Sequence, residues 1–448
     1  MTVNARQVAL EMVSSILDKG AYANLEAYGD PKLSRLSDVD KRFALEITYG
    51  TTKHWNTIDW VLGQFVSRPL EKVDPPVRNV LRTGVYQLLY MDRVPASAAC
   101  DESVKIIKKL SHKGASGFVN GVLRSISRKY DSIQDIPFPD IEQKPADYIS
   151  LRYSYPRWMV QRWLDNFGLE GTIAICRYGN EPPRLSVRVN TLKTTVEGFT
   201  SLLDWRGISW SPGEICPESV VINDYAKLEK ERDLHPLYLT QGESSMLVSH
   251  VLEPAAGQKI LDACSAPGSK TTHIAQLMGD EGKITAADIH EHRLNLVKNN
   301  CARLGIRSVE TLLCDAREIS EKTAEKYDCV LVDAPCTGTG VLNRRADARW
   351  RRKPEDISSM SFLQKEILER VLPLVKPGGR LVYSTCSLEP EENEEVVDFI
   401  LRKHPDFSGE PFGGCFPSLG FSKDAYAVQV APHTHETDGF FISRLVRH

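Results

Sequence analysis

At 448 residues, with 42% hydrophobic and 26% charged side chains and a formal net charge of −3, the chain is long enough for two or three domains with substantial cores. The near-neutral balance argues against a simple polycationic nucleic-acid coat, and no run approaches the roughly 18 apolar residues of a membrane span. Ten cysteines without a C-x-x-C pair or a regular Cys/His spacing argue against a disulfide framework or a structural zinc motif. Reduced thiols, no metal and a cytoplasmic location are expected.

Charge is unevenly spread. Residues 1–135 carry 19 Lys and Arg against 15 Asp and Glu, which leaves the remainder acidic. This first segment reads as helical: Val8, Met12, Val13, Ile16 and Leu17 recur at helical spacing, and Phe43, Ile47, Ile58, Val61, Leu62 and Phe65 continue the pattern. PPVRNVLRTGVYQLLYM opens with prolines that suit a first helical turn. Residues 101–129, running through Lys113, Gly114 and Gly117, hold seven basic and two acidic side chains. That balance suits either a solvated helix face or a surface turned toward phosphates.

Residues 131–146 are polar, proline-containing and aperiodic, which predicts a linker. The segment to about 255 reads as a small α+β unit. It has a helix after Tyr155-Pro156, a strand LSVRVNT over 185–191, a helix through Phe199, Leu202 and Leu203, and short strands near 208 and 220. From about 256, strands and helices alternate, with strands at KILDAC, KITAADI, VETLLC, CVLVDAP and RLVYST. AVQVAP and GFFISRLVR follow as an antiparallel pair. Such alternation predicts a mostly parallel sheet covered on both faces. The expected domains are therefore 1–135 (all-α), 136–255 (linker and small α+β subdomain) and 256–448 (α/β).

The turn CSAPGSK comprises Cys264, Ser265, Ala266, Pro267, Gly268, Ser269 and Lys270. It joins a strand to a helix, where backbone N–H groups can receive an anion or a polar tail. It lacks both G-x-G-x-x-G and the Walker pattern, which disfavours a pyrophosphate or triphosphate ligand. Asp288 ends the next strand about twenty residues on, placed to accept ribose hydroxyls. Asp315 ends the third, placed for an adenine amino group, although a strand-end aspartate also serves as a helix N-cap. With Asp262, these aligned ends suit S-adenosylmethionine. The α/β part then reads as a Rossmann-like class I methyltransferase domain with a mixed, mostly parallel, seven-stranded sheet.

Asp333-Ala334-Pro335-Cys336 closes the fourth strand and Thr385-Cys386-Ser387 the fifth. A single cysteine is most often a small buried hydrophobe, the reading for Cys100, Cys176, Cys216, Cys264, Cys301, Cys314, Cys329 and Cys415. Polar turn residues follow Cys336 and Cys386 instead. Two thiols at neighbouring strand ends point to covalent catalysis with a division of labour, and Asp333 is placed to contact the ring nitrogen and amino group of a base. NRRADARWRRK (343–353) offers Arg344, Arg345, Arg349, Arg351, Arg352 and Lys353 beside one acid and one tryptophan. A solvated loop is one reading; a loop that grips phosphates and stacks on unpaired bases is the one expected.

The strings DACSAPGSKT, DAPCTGTG, YSTCSLEPEEN and the upstream RVNTLK resemble the RNA cytosine-5 methyltransferase family. VLRTGVYQLLYMDRVP, DESVKIIKK and FVNGVLR resemble the NusB-like RNA-binding helical domain. Together the two resemblances cover nearly the whole chain, and the pairing is similar to that of 16S ribosomal RNA methyltransferases. The resemblance implies that Cys386 attacks carbon 6 of cytosine, that Asp333 stabilises the protonated ring, and that Cys336 assists loss of the carbon 5 proton and enzyme release. It further implies unassembled 16S ribosomal RNA as substrate and S-adenosylmethionine as cofactor; the target base leaves its stack most cheaply in a single-stranded loop, and two RNA-facing segments leave little need for a dimer, so a monomer is expected. Ser269 stands where the family's turn usually has a second glycine, and Ala346-Asp347 where its basic loop often has Pro-Asp. The alternatives are a transfer RNA cytosine-5 methyltransferase, a DNA cytosine-5 methyltransferase in which Cys336 attacks, and a non-catalytic RNA-binding ribosome assembly factor.

Overall fold

The computed structural model describes residues 4–23, 30–345 and 347–448, without the side chain of Lys113; Ala346 lies outside the described residues. The chain divides into two compact units, Met1–Glu181 with Leu342–Arg352, and Pro182–Val341 with Lys353–His448.

The first unit is built from helices α1 (Ala5–Lys19), α2 (Asp38–Lys53), α3 (Trp55–Gly63), α4 (Pro75–Tyr90), α5 (Ala96–Leu110), α6 (Lys113–Lys129), α7 (Pro145–Tyr153) and α8 (Arg157–Tyr178). Local chemistry sets their ends. The Asn4 side chain accepts from the Arg6 amide at 2.9 Å to start α1, and Gly20, at φ 72°, closes it in the left-handed conformation. Two prolines occupy the first turn of α4. Val80, Leu81 and Val85 of α4 pack with Val61, Leu62, Leu123 and Ile126 in the main core of this unit.

The expected linker is packed onto that core. Ile133 and Ile136 join it, and Trp60 Nε1 donates to the Pro137 carbonyl at 3.1 Å. Helices α7 and α8 belong to the same compact unit, which runs to Glu181. Polar composition in 131–146 concealed two isoleucines at docking positions.

The second unit contains two sheets. In the smaller, β1 (Ser186–Val189), β2 (Trp210–Pro212), β3 (Ser219–Ile222) and β4 (Tyr238–Thr240) are all antiparallel in the order β2-β3-β1-β4. Strand β4, three residues long, is one the sequence pattern did not mark. In the larger, β5 (Lys259–Asp262), β6 (Lys283–Asp288), β7 (Val309–Leu313), β8 (Tyr327–Asp333) and β9 (Val375–Thr385) form parallel pairs. Strand β12 (Phe440–Arg447) lies antiparallel to β9, and β10 (Phe407–Gly409) and β11 (Ala427–Val430) pair antiparallel with β12. The order is β10-β12-β9-β8-β5-β6-β7 with β11 beside β12. The sheet thus has eight strands; the extra one, β10, is too short to show alternation.

Successive residues of the central strands feed opposite faces. Ile260, Leu331, Val382 and Ile442 enter one core, and Leu261, Val330, Leu381 and Phe441 the other. Helices follow β5, β6 and β9 at Ser269–Leu277, Glu291–Leu304 and Glu394–Lys403. Strand order reverses between β5 and β8. The crevice at their carboxyl ends is therefore the topological switch point where open α/β sheets take ligands.

Candidate active site

The turn after β5 is fixed by backbone bonds to both neighbours. The Ala263 amide donates to Leu331 O at 2.9 Å and the Ser265 amide to Ala287 O at 2.8 Å. Gly268 sits at φ +97°, and a Cβ there would meet Val297 Cα at 3.1 Å. Only glycine fits both the left-handed backbone and that approach. Asp262 is buried; its Oδ2 accepts from Thr271 Oγ1 at 2.6 Å, while its Oδ1 and the buried Ser265 Oγ have no hydrogen-bond partner. Burial pushes the Asp262 carboxyl up to about 7. Asp288 accepts from the His290 amide at 3.0 Å and pairs with Arg293 at 3.3 Å. Asp315 accepts from the Arg317 amide at 2.9 Å, capping a short helical turn, and its hydrogen bond to the Arg317 side chain holds it below the usual carboxylate range. Asp315 is thus a helix cap in geometry. The orphaned polar atoms and the glycine cradle fit the S-adenosylmethionine strip expected at Cys264–Lys270 and Asp288.

Asp333, at the end of β8, stands in register with Ser384 of β9. Lys270 Nζ donates to its Oδ2 at 2.7 Å and Ser384 Oγ to its Oδ1 at 2.8 Å, so the carboxylate is aimed by two elements. Just beyond, Cys336 Sγ and Cys386 Sγ lie 3.2 Å apart, both half-buried. The adjoining Cys386 thiol, and then burial, push the Cys336 thiol well above the ordinary thiol range.

One carboxylate that the sequence analysis assigned no role joins the two cysteine turns. Glu392 is fully buried. It accepts from the Thr337 amide at 2.9 Å and the Thr337 hydroxyl on one turn, and from Ser387 Oγ at 2.7 Å on the other. Gln364 Nε2 reaches it at 3.0 Å and Pro335 O at 2.9 Å. Asn393 accepts from Thr385 Oγ1 at 2.6 Å and donates to Ser387 O at 3.0 Å. The Gly340 amide donates to Cys386 O at 2.9 Å, and a side chain at Gly340 would collide with the Gly439 carbonyl. The signal was present: EPEEN places acid and amide groups a few residues after the thiol, within reach of its turn.

The string RVNTLK also gains a role. Arg188 of β1 is buried; Nη1 donates to Ser269 O at 2.6 Å and to Gln241 Oε1, and Nη2 to Thr272 Oγ1 at 2.9 Å. Burial lowers its pKa to about 9, still charged at neutral pH. Asn190 Nδ2 donates to Leu304 O at 2.9 Å. The small sheet thereby grips the first turn of the helix that follows β5. Nearby, Cys216, Glu218 and His250 bring donor atoms within 4.8 Å of one another. The Glu218 Oε1 already lies 2.9 Å from His250 Nε2 and 2.7 Å from His273 Nε2, so a direct His–Glu–His network spans the cluster. Burial lowers His273 to about 3, which leaves its ring neutral.

The basic stretch departs most from expectation. Residues 342–352 belong to the first unit, and Arg349 is fully buried there. Its guanidinium donates to Ser154 O at 3.0 Å, Asn180 Oδ1 at 2.8 Å and Gly179 O at 3.0 Å, and lies 3.8 Å from the Tyr155 ring centroid. Arg351 pairs with Asp347 at 2.7 Å, donates to Gly20 O at 2.8 Å and stacks 4.0 Å over Tyr22. Trp350 Nε1 donates to Thr52 O at 2.8 Å. The expectation that Arg349 grips phosphate is corrected: buried, with its Nη groups held by two carbonyls and the Asn180 amide oxygen and its Nε without a partner, it is structural, and Arg351 is largely so. Arg344, Arg345 and Lys353 are exposed and Arg352 half-buried. Lys353 belongs to the second unit.

Three family models match successive parts of the chain, and the middle one crosses the boundary between the two units at residue 181. A family model described as 16S rRNA methyltransferase RsmB/F matches residues 249–446, one for the NusB family residues 3–128, and one for an RsmF/B-like ferredoxin-like domain residues 155–229. The chain is 36% identical over 445 residues to the probable ribosomal RNA small subunit methyltransferase B of Bacillus subtilis, covering 98% of each. It is similar to the crystal structure of PH0851, with TM-score 0.79 and 29% identity over the full length of both chains. It is also similar to a methyltransferase homolog protein from Pyrococcus horikoshii, with TM-score 0.57 and 33% identity, covering 67% of this chain and 98% of that one.

Proposed function

Because the chain belongs to the family of ribosomal RNA small subunit methyltransferase B, we propose that it methylates carbon 5 of a cytosine in 16S ribosomal RNA through a covalent adduct on Cys386. The observation that carries this reading is the pair of sulfurs 3.2 Å apart beside an oriented Asp333 at the switch point of the sheet. S-adenosylmethionine is the cofactor and supplies an electrophilic methyl group when bound. The turn Cys264–Lys270 and Asp288 would hold it, with Asp315 alongside.

Carbon 5 of cytosine is a poor nucleophile until something adds at carbon 6. A thiolate suits that step, because the ionised sulfur is the nucleophilic form. Cys386, the thiol that follows β9, is the one assigned the attack. Asp333 accepts from the protonated ring and so stabilises the adduct. After methylation, loss of the carbon 5 proton returns the electron pair to carbons 5 and 6 and expels the Cys386 sulfur, with Cys336 assisting. A base must leave its stack to reach such a pocket, which favours a single-stranded target. Exposed Arg344, Arg345 and Lys353, with Arg352, would bind the RNA backbone.

RNA carrying cytosine tritiated at carbon 5 tests the reading. One tritium should be released for each methyl group incorporated. Methyl incorporation with tritium retained would overturn carbon 5 as the acceptor.

A further inference from the structure

The contact between Cys336 and Cys386 has a chemistry outside methyl transfer. Their sulfurs are 3.2 Å apart, and a disulfide requires about 2.05 Å, so closure needs a movement of about 1 Å. The two turns are positioned to permit it. They follow neighbouring parallel strands in register at Asp333 and Ser384, and Glu392 holds Thr337 and Ser387, one residue beyond each thiol. The Gly340 amide to Cys386 carbonyl bond adds a third tie. Gly338 lies beside the pair, where even a Cβ would sit at an ordinary contact distance of 3.9 Å from Cys386 Sγ. Elsewhere thiols are differently placed: burial pushes Cys301 and Cys329 up to about 11, and Cys415 is exposed.

We propose that Cys336 and Cys386 form a redox-modification site, a dithiol that hydrogen peroxide and related hydroperoxides oxidise to an intramolecular disulfide. One thiolate attacks a peroxide oxygen and breaks the O–O bond, giving a sulfenic acid and, with a proton, water. The second sulfur then attacks the sulfenic sulfur; its proton leaves with the displaced hydroxide as a second water. Two thiols and one peroxide thus become one disulfide and two waters, the sulfurs oxidised by two electrons and the peroxide reduced. A thiol reductant reverses the step. The disulfide removes both groups from the methylation reaction, and without it the attacking thiolate would proceed to irreversible sulfinic acid. The site does not depend on which thiol attacks the base.

The full chain, treated with one equivalent of hydrogen peroxide and alkylated under denaturing conditions, tests this. Intact mass should show two fewer alkyl groups than the untreated protein, and peptide mapping without reductant should show Cys336 linked to Cys386, with dithiothreitol before alkylation restoring both thiols and methyl transfer. Cys336→Ser and Cys386→Ser should instead accumulate oxygen on the remaining thiol. Oxygen addition to either cysteine of the unsubstituted protein without the linked peptide would overturn the proposal. So would a link that joins other cysteines, or one that forms only when the protein is first unfolded in urea.

Discussion

The turn over 333–340 and the basic stretch over 343–353 are near neighbours in the chain, but they use their polar side chains in opposite ways. The first collects modestly polar groups, and strand register, Glu392 and Lys270 hold Asp333 and Cys336 in place toward a common centre. The second carries the higher charge and turns its central cations onto backbone carbonyls: Arg349 and Arg351 crosslink their own unit. A guanidinium has five donors and no acceptor, so backbone carbonyls can take up its Nη donors in place of a phosphate. Formal charge in a sequence therefore does not measure a surface, whereas a thiol at a strand end is placed by the sheet itself.

Substitutions can break this contrast, beginning with the largest effect. Cys386→Ala should reduce methyl transfer at least about 10³-fold, as loss of a nucleophile does; incorporation of labelled methyl into RNA at near-normal rate would remove Cys386 from the chemistry. Cys336→Ala should let the adduct form and hinder its release, so that protein and RNA migrate together on a denaturing gel. Turnover without a retained complex would deny Cys336 a part in release. Glu392→Ala leaves buried donors on both turns without an acceptor and should lower stability by about 3 kcal/mol in urea titration, with methyl transfer falling further than unfolding explains.

In the basic stretch the expected effects are smaller and separate cleanly. Arg349→Met should destabilise the protein by about 2 kcal/mol and leave the salt dependence of RNA affinity unchanged. Arg345→Ala should leave the melting temperature alone and reduce the slope of log affinity against log salt by about 0.7–0.9. Equal behaviour of the two variants would erase the distinction.

Asp262 gives a pH test at the turn after β5. Its carboxyl is raised by burial to about 7 in the folded protein and is ordinary, near 4, when unfolded. The folded state thus keeps a proton the unfolded chain releases, so stability contributed by the neutral form declines as pH rises from about 4 to about 7. Asp262→Asn should gain on the unsubstituted protein across that window. A constant difference in melting temperature from pH 5 to pH 8 would contradict it.

Much of the architecture was readable because period-two and period-3.6 patterns report burial directly. The strands KILDAC through RLVYST and the first helical stripe show this. Strands β4 and β10, three residues each, were too short to carry a period. The turn after β5 and both thiols were visible as polar and glycine residues interrupting strand ends. Glu392 and Arg188 were not, because their partners are distant in sequence: Glu392 bonds Thr337, 55 residues away, and Arg188 bonds Ser269, 81 away. A buried charge that staples loops leaves no local signature; only the fold reveals its acceptors. Arg349 was hidden for the same reason, its carbonyl partners lying 170 and 195 residues away.

The grip of Arg188 and Asn190 on the helices after β5 and β6 bears on how the molecule can be cut. The family match for the methyltransferase begins at residue 249, but the compact unit begins at Pro182. A fragment starting near 250 would strip the Ser269 carbonyl, Thr272 and Gln276 of their guanidinium partner and open a buried seam to water. The smallest piece expected to stay folded therefore starts before β1, and the small sheet is better regarded as the catalytic unit's own buttress than as a detachable module.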